Sequence, residues 1–244
     1  MIPVLAQQPV HRDVPFVQDY SIKYILEDPE ISLQCVRTDR NGVVRIMTSG
    51  GLMKPHAGQF LYPGILVSDH SYRPMADKNI SALGLYEQQF VYLDDQAVLS
   101  NAWAGRLYSE HGMPGAALFA GGPDFSFLVS DGSALVYLKD SEALWSGSLG
   151  SDSVLDVQYD PEQEVFMVLG SEGVYAFEPD GGKLREVYKG SGLTCLGLTV
   201  GSQVLLGTDN GYLVVDAATG KQVGRRQTKL PWTELTVIRE IGDR

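Results

Sequence analysis

The sequence has no excess of positive charge. Its 244 residues hold 19 Lys and Arg against 30 Asp and Glu, a formal net charge of −11, and such a chain is repelled by a phosphate backbone rather than drawn to it. A nucleic-acid partner is therefore not expected. Cysteine is nearly missing: Cys35 and Cys195 are the only two, too few for a disulfide scaffold and without metal-ligand spacing. Both sit in apolar alternating runs, where a small thiol packs as a buried side chain. No apolar run approaches the roughly 18 residues of a membrane-spanning helix. Helical periodicity is missing as well, because Gly or Pro interrupts every stretch that begins an i, i+3, i+4, i+7 apolar pattern.

Catalytic signatures are equally scarce. The four histidines, His11, His56, His70 and His111, are not paired at metal-binding spacing, and no H-E-x-x-H occurs. No G-x-S-x-G elbow is present. Gly121-Gly122-Pro123 and Gly181-Gly182 lack the Lys-Ser/Thr and the helix that a phosphate cradle needs. The sequence thus names no catalytic residue, no metal ligand and no cofactor, and it leaves an enzymatic role open.

Glycine is abundant, at 27 residues spread along the chain, and its distribution is periodic. Residues 165–185, VFMVLGSEGVYAFEPDGGKLR, and 203–223, QVLLGTDNGYLVVDAATGKQV, share a plan of an apolar run, a turn, a second apolar run and a glycine turn. The plan recurs at 43–53, 90–99 and 125–138. Anchored on Gly50, Asp95, Gly132, Gly173 and Gly211, the units are spaced 37 to 45 residues apart. A repeat of about 40 residues holding four short strands is a β-propeller blade. In the fifth unit the strands are expected at 193–199, 203–207, 212–216 and 222–227. Asn210-Gly211 is expected to form a type I′ turn, which needs positive φ at both central residues.

The expected fold is therefore all-β: a propeller of five full blades plus the start of a sixth. Residues 233–241, TELTVIREI, read as the first strand of that sixth blade. Residues 14–27 offer two short strands that could close a ring, but one strand too few, so 14–244 reads as the front part of a longer propeller. Residues 1–13 form an N-terminal segment in which Ile2 to Ala6, followed by Gln7-Gln8, resembles the tail of a secretory signal.

Residues 16–53 contain Asp39, Gly42, Val43, Val44, Ile46, Thr48, Gly51 and Leu52, arranged as Asp-x-x-Gly, an apolar strand and Thr-x-x-Gly-Leu. This resembles the blade pattern of the two-component-regulator type of propeller, with Arg45 near the place where that family carries a Trp. The later units keep the logic in Gly170, Gly173, Gly207, Thr208 and Gly211. The run from Asp216 to Val223, DAATGKQV, is similar to a turn of quinoprotein-like blades. The first resemblance implies a periplasmic or extracellular sensing or binding module attached to further domains.

Acidic residues recur at the turn between second and third strands: Asp94, Asp95, Asp131, Glu172 and Asp209. In a propeller these turns share one face with the connections between blades, so an acidic rim is expected there, with the acids serving local turn hydrogen bonds. Long connections on a rigid scaffold are where binding residues gather. They hold His70, Tyr72 and Arg73 in DHSYRPMADKN (69–79), His111 in SEHGMPG (109–115) and Trp232 in KLPW (229–232). Aromatic rings beside Arg or His suit stacking on a sugar or gripping an anion. These five are the candidate ligand-binding residues for a glycan or small metabolite. The alternatives are a propeller enzyme of lyase, hydrolase or quinoprotein type using His70, Arg73, His111 and Asp95, and a scaffold for a protein partner.

Overall fold

The computed structural model describes residues 24–25, 28–39, 41–56, 64–69, 78–102, 105–110, 113–199, 201–209 and 211–227. Among them every regular element is a strand. The chain divides into two compact units, Met1–Val36 with Val44–Asp69, and Arg37–Val43 with His70–Arg244.

The first unit holds one sheet, built from β1 (Tyr24–Ile25), β2 (Leu33–Thr38), β3 (Val44–Thr48), β4 (Gly51–His56) and β5 (Gly64–Ser68), in the order β1-β5-β4-β3-β2. Strands β2 to β5 are the four strands of a blade. The two residues of β1 add to the outer edge of β5 in parallel, Tyr24 beside Gly64 and Ile25 beside Ile65. This part of 14–27 therefore extends the first blade instead of completing another. The sixth-blade strand expected at 233–241 lies outside the described residues.

The second unit holds four antiparallel sheets of four strands each. They are β6 (Ile80–Tyr86), β7 (Gln89–Asp94), β8 (Leu99–Asn101) and β9 (Leu107–Ser109); β10 (Leu118–Gly121), β11 (Ser126–Ser130), β12 (Ala134–Lys139) and β13 (Glu142–Ser148); β14 (Val154–Asp160), β15 (Val165–Gly170), β16 (Gly173–Glu178) and β17 (Lys183–Lys189); and β18 (Leu193–Leu198), β19 (Gln203–Thr208), β20 (Gly211–Asp216) and β21 (Gln222–Gln227). In each sheet the strands follow chain order, and the first strands β6, β10, β14 and β18 neighbour one another in series. Five blades with a repeat of about 40 residues make the fold a β-propeller.

The core lies between the blades. Residue alternation in a strand sends neighbours to opposite faces, and the second strands β7, β11 and β15 are buried on both. In β15, Phe166 and Val168 pack with Leu128, Leu135 and Tyr137 of the preceding blade. Met167 and Leu169 pack with Leu196, Leu206 and Leu213 of the following blade. In β11, Phe127 and Val129 face β7 and β8 through Val91, Leu93 and Leu99, while Leu128 points the other way. Trp145 of β13 lies 4.4 Å from Phe177 of β16, ring to ring, tying an outer strand to the next blade.

Turn geometry differs from expectation in one place. Thr208 pairs with Gly211, so Gly211 (φ 152°) is already in the strand. A Cβ there would stand 2.0 Å from the Arg226 carbonyl oxygen, so glycine is required by a close backbone approach, not by a type I′ turn. True left-handed pairs occur at Glu87-Gln88 (φ 48° and 58°) and Asp140-Ser141 (φ 51° and 72°), between directly paired strand ends. Neither pair carries the Asn-Gly signal that marks such turns in a sequence.

Candidate functional site

A meander of four antiparallel strands places its middle turn and its exit at one end, and the other two turns at the opposite end. Backbone hydrogen bonds in the second unit fix this sorting. Asp95 N–H donates to Asn79 O (2.8 Å), Ala117 N–H to Ser130 O (3.0 Å), Val154 N–H to Gly132 O (2.8 Å), Ser171 N–H to Ser153 O (3.1 Å) and Gly190 N–H to Glu172 O (2.9 Å). Each joins a middle turn to a connection between blades, so both kinds of segment form one face. This is the face on which the candidate binding connections begin or end.

The acids of this face have distinct partners. Asp94 is buried, and its Oδ1 accepts N–H groups of Gln96 (3.1 Å) and Val98 (2.9 Å) while Oδ2 accepts Lys78 Nζ at 3.2 Å. That hydrogen bond and the Asp94 charge raise the Lys78 pKa. Asp95 is exposed and accepts from the Asn79 amide at 2.9 Å, which, with a weaker contribution from the Gln96 amide, holds its carboxyl below the ordinary range. Asp131 Oδ1 accepts the N–H groups of Ser133 and Ala134, both at 2.8 Å, and the Ser133 hydroxyl at 2.9 Å. The Ala134 and Ser133 N–H groups hold it low in the same way.

Asp152 connects blades three and four. Its Oδ1 accepts the Ser171 hydroxyl at 2.5 Å and Glu172 N–H at 3.1 Å, and its Oδ2 accepts the Tyr175 hydroxyl at 3.2 Å. Burial first, and then this carboxylate, raise the Tyr175 pKa. A Cβ at Gly170 would stand 2.2 Å from Asp152 Oδ2, so glycine leaves the room the carboxylate fills. Asp69, in the first unit, is also buried, with Arg45 against Oδ2 and Lys54 Nζ 3.5 Å from Oδ1.

Asp95, Asp131, Glu172 and Asp209 thus leave one exposed carboxylate in each middle turn of the second unit. The expected acidic character of this face is present, and it is not exclusive. The opposite turns carry Glu87, Asp124, Asp140, Asp160, Asp180 and Asp216. There Glu162 Oε2 accepts Gly201 N–H (2.9 Å) and Ser202 N–H (3.1 Å) of the following blade, in a nest made by positive φ at both residues. Among the described residues no three His, Cys, Asp or Glu side chains are grouped as metal ligands, and no helix is long and apolar enough to cross a membrane.

His70, Tyr72, Arg73, His111 and Trp232 all lie outside the described residues. Of the candidate enzymatic set only Asp95 is described, and it accepts from the side-chain amides of Asn79 and Gln96. Cys35 of β2 and Cys195 of β18 form no disulfide, and burial raises the Cys195 thiol pKa. Sequence reading missed Asp152, Glu162 and the pairing of Asp94 with Lys78. The one available signal was a lone Asp within Ser151-Asp152-Ser153, directly before a strand, since short polar side chains there bond to neighbouring backbone.

No protein-family model and no curated protein matches the sequence. Solved structures do match. The extracellular domain of a B. thetaiotaomicron protein described as a hybrid two component system aligns at 16% identity and TM-score 0.59, over 82% of this chain and 28% of that one. Virginiamycin B lyase from Staphylococcus aureus aligns at 9% identity and TM-score 0.57, over 84% of this chain and 72% of that one. A chain of a nidogen/laminin complex aligns at 11% identity and TM-score 0.56, over 80% of each. The chain spans less than a third of the length of the extracellular domains it resembles. At these identities the likeness is one of fold.

Proposed function

We propose that the chain is an extracytoplasmic sensing or ligand-binding propeller module of a larger protein, and that it takes a carbohydrate or small metabolite on the face of middle turns and blade connections. The observation that carries this reading is the backbone bonding of that face. Five hydrogen bonds anchor turns to the ends of the connections, giving a rigid platform at this face. His70, Tyr72, Arg73, His111 and Trp232 are the residues assigned to the ligand, the rings by stacking and Arg73 by paired hydrogen bonds. The likeness to extracellular domains of which this chain covers less than a third supports the modular part. The test is calorimetric titration of the full chain with a panel of oligosaccharides and small metabolites. Saturable binding lost in Tyr72→Ala and Arg73→Ala supports the reading; binding unchanged in both variants overturns the site.

A second reading, a propeller lyase, is favoured by the 72% and 70% of two lyase chains that this chain covers. Incubation with virginiamycin B, followed by chromatography, separates the two: turnover that is abolished by His111→Ala supports the lyase, and an unchanged substrate removes it.

A further inference from the structure

The outer edge of the last described blade has a charge opposite to the rest of its unit. From Lys78 to Gln227 the sequence holds 19 acidic and 9 basic residues. Three of the nine, Lys221, Arg225 and Arg226, fall within six positions, and no acid lies between Ala217 and Gln227. Arg225 and Arg226 belong to β21, whose side chains are exposed at every position except the half-buried Gly224. Among the described residues no carboxylate is paired with either guanidinium. Val223, beside them, is 56% exposed.

Among the described residues β21 also has a free edge. It pairs on one side with β20, from Gly211 opposite Gln227 to Val215 opposite Gln222, and ends its sheet. Every second N–H and C=O on the other side is open to a further strand. Tyr212 lies opposite Arg226 and Leu213 opposite Arg225, so the two guanidiniums leave on opposite faces of the sheet. A strand laid along this edge would meet one cation on each face.

We propose that β21 is the docking edge for an extended acidic segment of a protein partner, which adds to the blade as a fifth strand. Main-chain hydrogen bonds supply the attachment and carboxylates at successive positions select the cationic edge. Charge argues for this occupant. A second copy would bring Arg225 and Arg226 against themselves, and basic edge residues are a device by which sheets avoid self-pairing. An acidic strand turns the same charges from repulsion to attraction; the outer strand β17 also carries Lys183, Arg185 and Lys189, but with Glu186 among them and Arg185 beside Glu178. This surface is separate from the face assigned above to a small ligand.

The test is fluorescence anisotropy, with the full chain, of a labelled eight-residue peptide whose two successive central Glu residues are flanked by alternating Val and Thr, so that one carboxylate lies on each face. Saturable binding is expected, weakened at least about tenfold by the Arg225→Glu/Arg226→Glu double variant. The same peptide N-methylated at alternate amides keeps its charge and loses its strand hydrogen bonds; it should bind at least about tenfold more weakly. Melting curves check that the double variant, altered only at exposed positions, remains folded. Absence of binding overturns the proposal, as does equal binding of a Lys-for-Glu peptide. Equal binding of the N-methylated peptide, or stronger binding of heparin, would make the edge a general polyanion surface and overturn strand addition.

Discussion

Strands β15 and β21 are both six residues long, and they are opposites in burial. Every position of β15, Val165–Gly170, is buried; in β21 only Gly224 is even half-buried. The difference is one of place in the blade. β15 is the second strand, covered by a blade on each side, and it therefore reads as a continuous apolar run. β21 ends its sheet, and among the described residues no strand lies beyond it to select its side chains. In blades three and four burial peaks in the second strand and is lowest in the fourth, and sequence character follows it.

The largest effect that tests this comparison is Phe166→Ala. Phe166 is fully buried between blades, and its truncation should cost about 3–5 kcal/mol in denaturant unfolding; a loss below about 1 kcal/mol would break the comparison. Next is Asp152→Ala, which leaves the Ser171 hydroxyl, Glu172 N–H and Tyr175 hydroxyl without their acceptor and should cost about 1–3 kcal/mol. Asp152→Asn retains the shape and, by replacing a charge-assisted acceptor with a neutral one, should cost less. Gly220→Ala puts a Cβ 2.1 Å from the Val187 carbonyl of the previous blade, at φ +69°, and should lower stability by at least about 1 kcal/mol.

A smaller effect depends on pH. The folded Asp131 pKa is depressed, so its contribution is present above the unfolded value of about 3.9 and is lost as pH falls through the folded value. The melting temperature of Asp131→Asn should lie slightly below that of the parent at pH 7, with the gap closing in acid. Lys78, whose pKa is raised, contributes below its unfolded value of about 10.4, and that contribution fades as pH rises through the folded one. Smallest of all is Val223→Ala, at 56% exposure, expected within about 0.5 kcal/mol of the parent; a larger loss would mean that the outer edge is covered.

Much of the strand plan was legible because it is local. In the last blade the strands expected at 193–199, 203–207, 212–216 and 222–227 are observed at Leu193–Leu198, Gln203–Thr208, Gly211–Asp216 and Gln222–Gln227. Apolar runs bounded by glycine turns carry that information without reference to anything distant. The partners of polar side chains did not show. Glu162 reaches Gly201 and Ser202, 39 and 40 residues away, and Asp152 reaches Tyr175. No pattern along the chain links one repeat to those positions in the next. The acidic face was legible in part, since the acids do fall in the middle turns, but the hydrogen bonds that occupy Asp94, Asp131 and Asp152 depend on turns closing around them.

By itself the sequence determined the repeat of about 40 residues, the four-strand blade and the acidity of the turns, because strand period and turn chemistry act over a few residues. Only the tertiary structure decided which side of β15 meets which blade. A strand buried on both faces has no alternation to read, and Phe166 and Met167 become different only when separate neighbours pack against them. Tertiary structure also decided that β1 joins β5 in parallel and that β21 is left as a cationic edge, since sheet edges exist only once the strands beside them are in place.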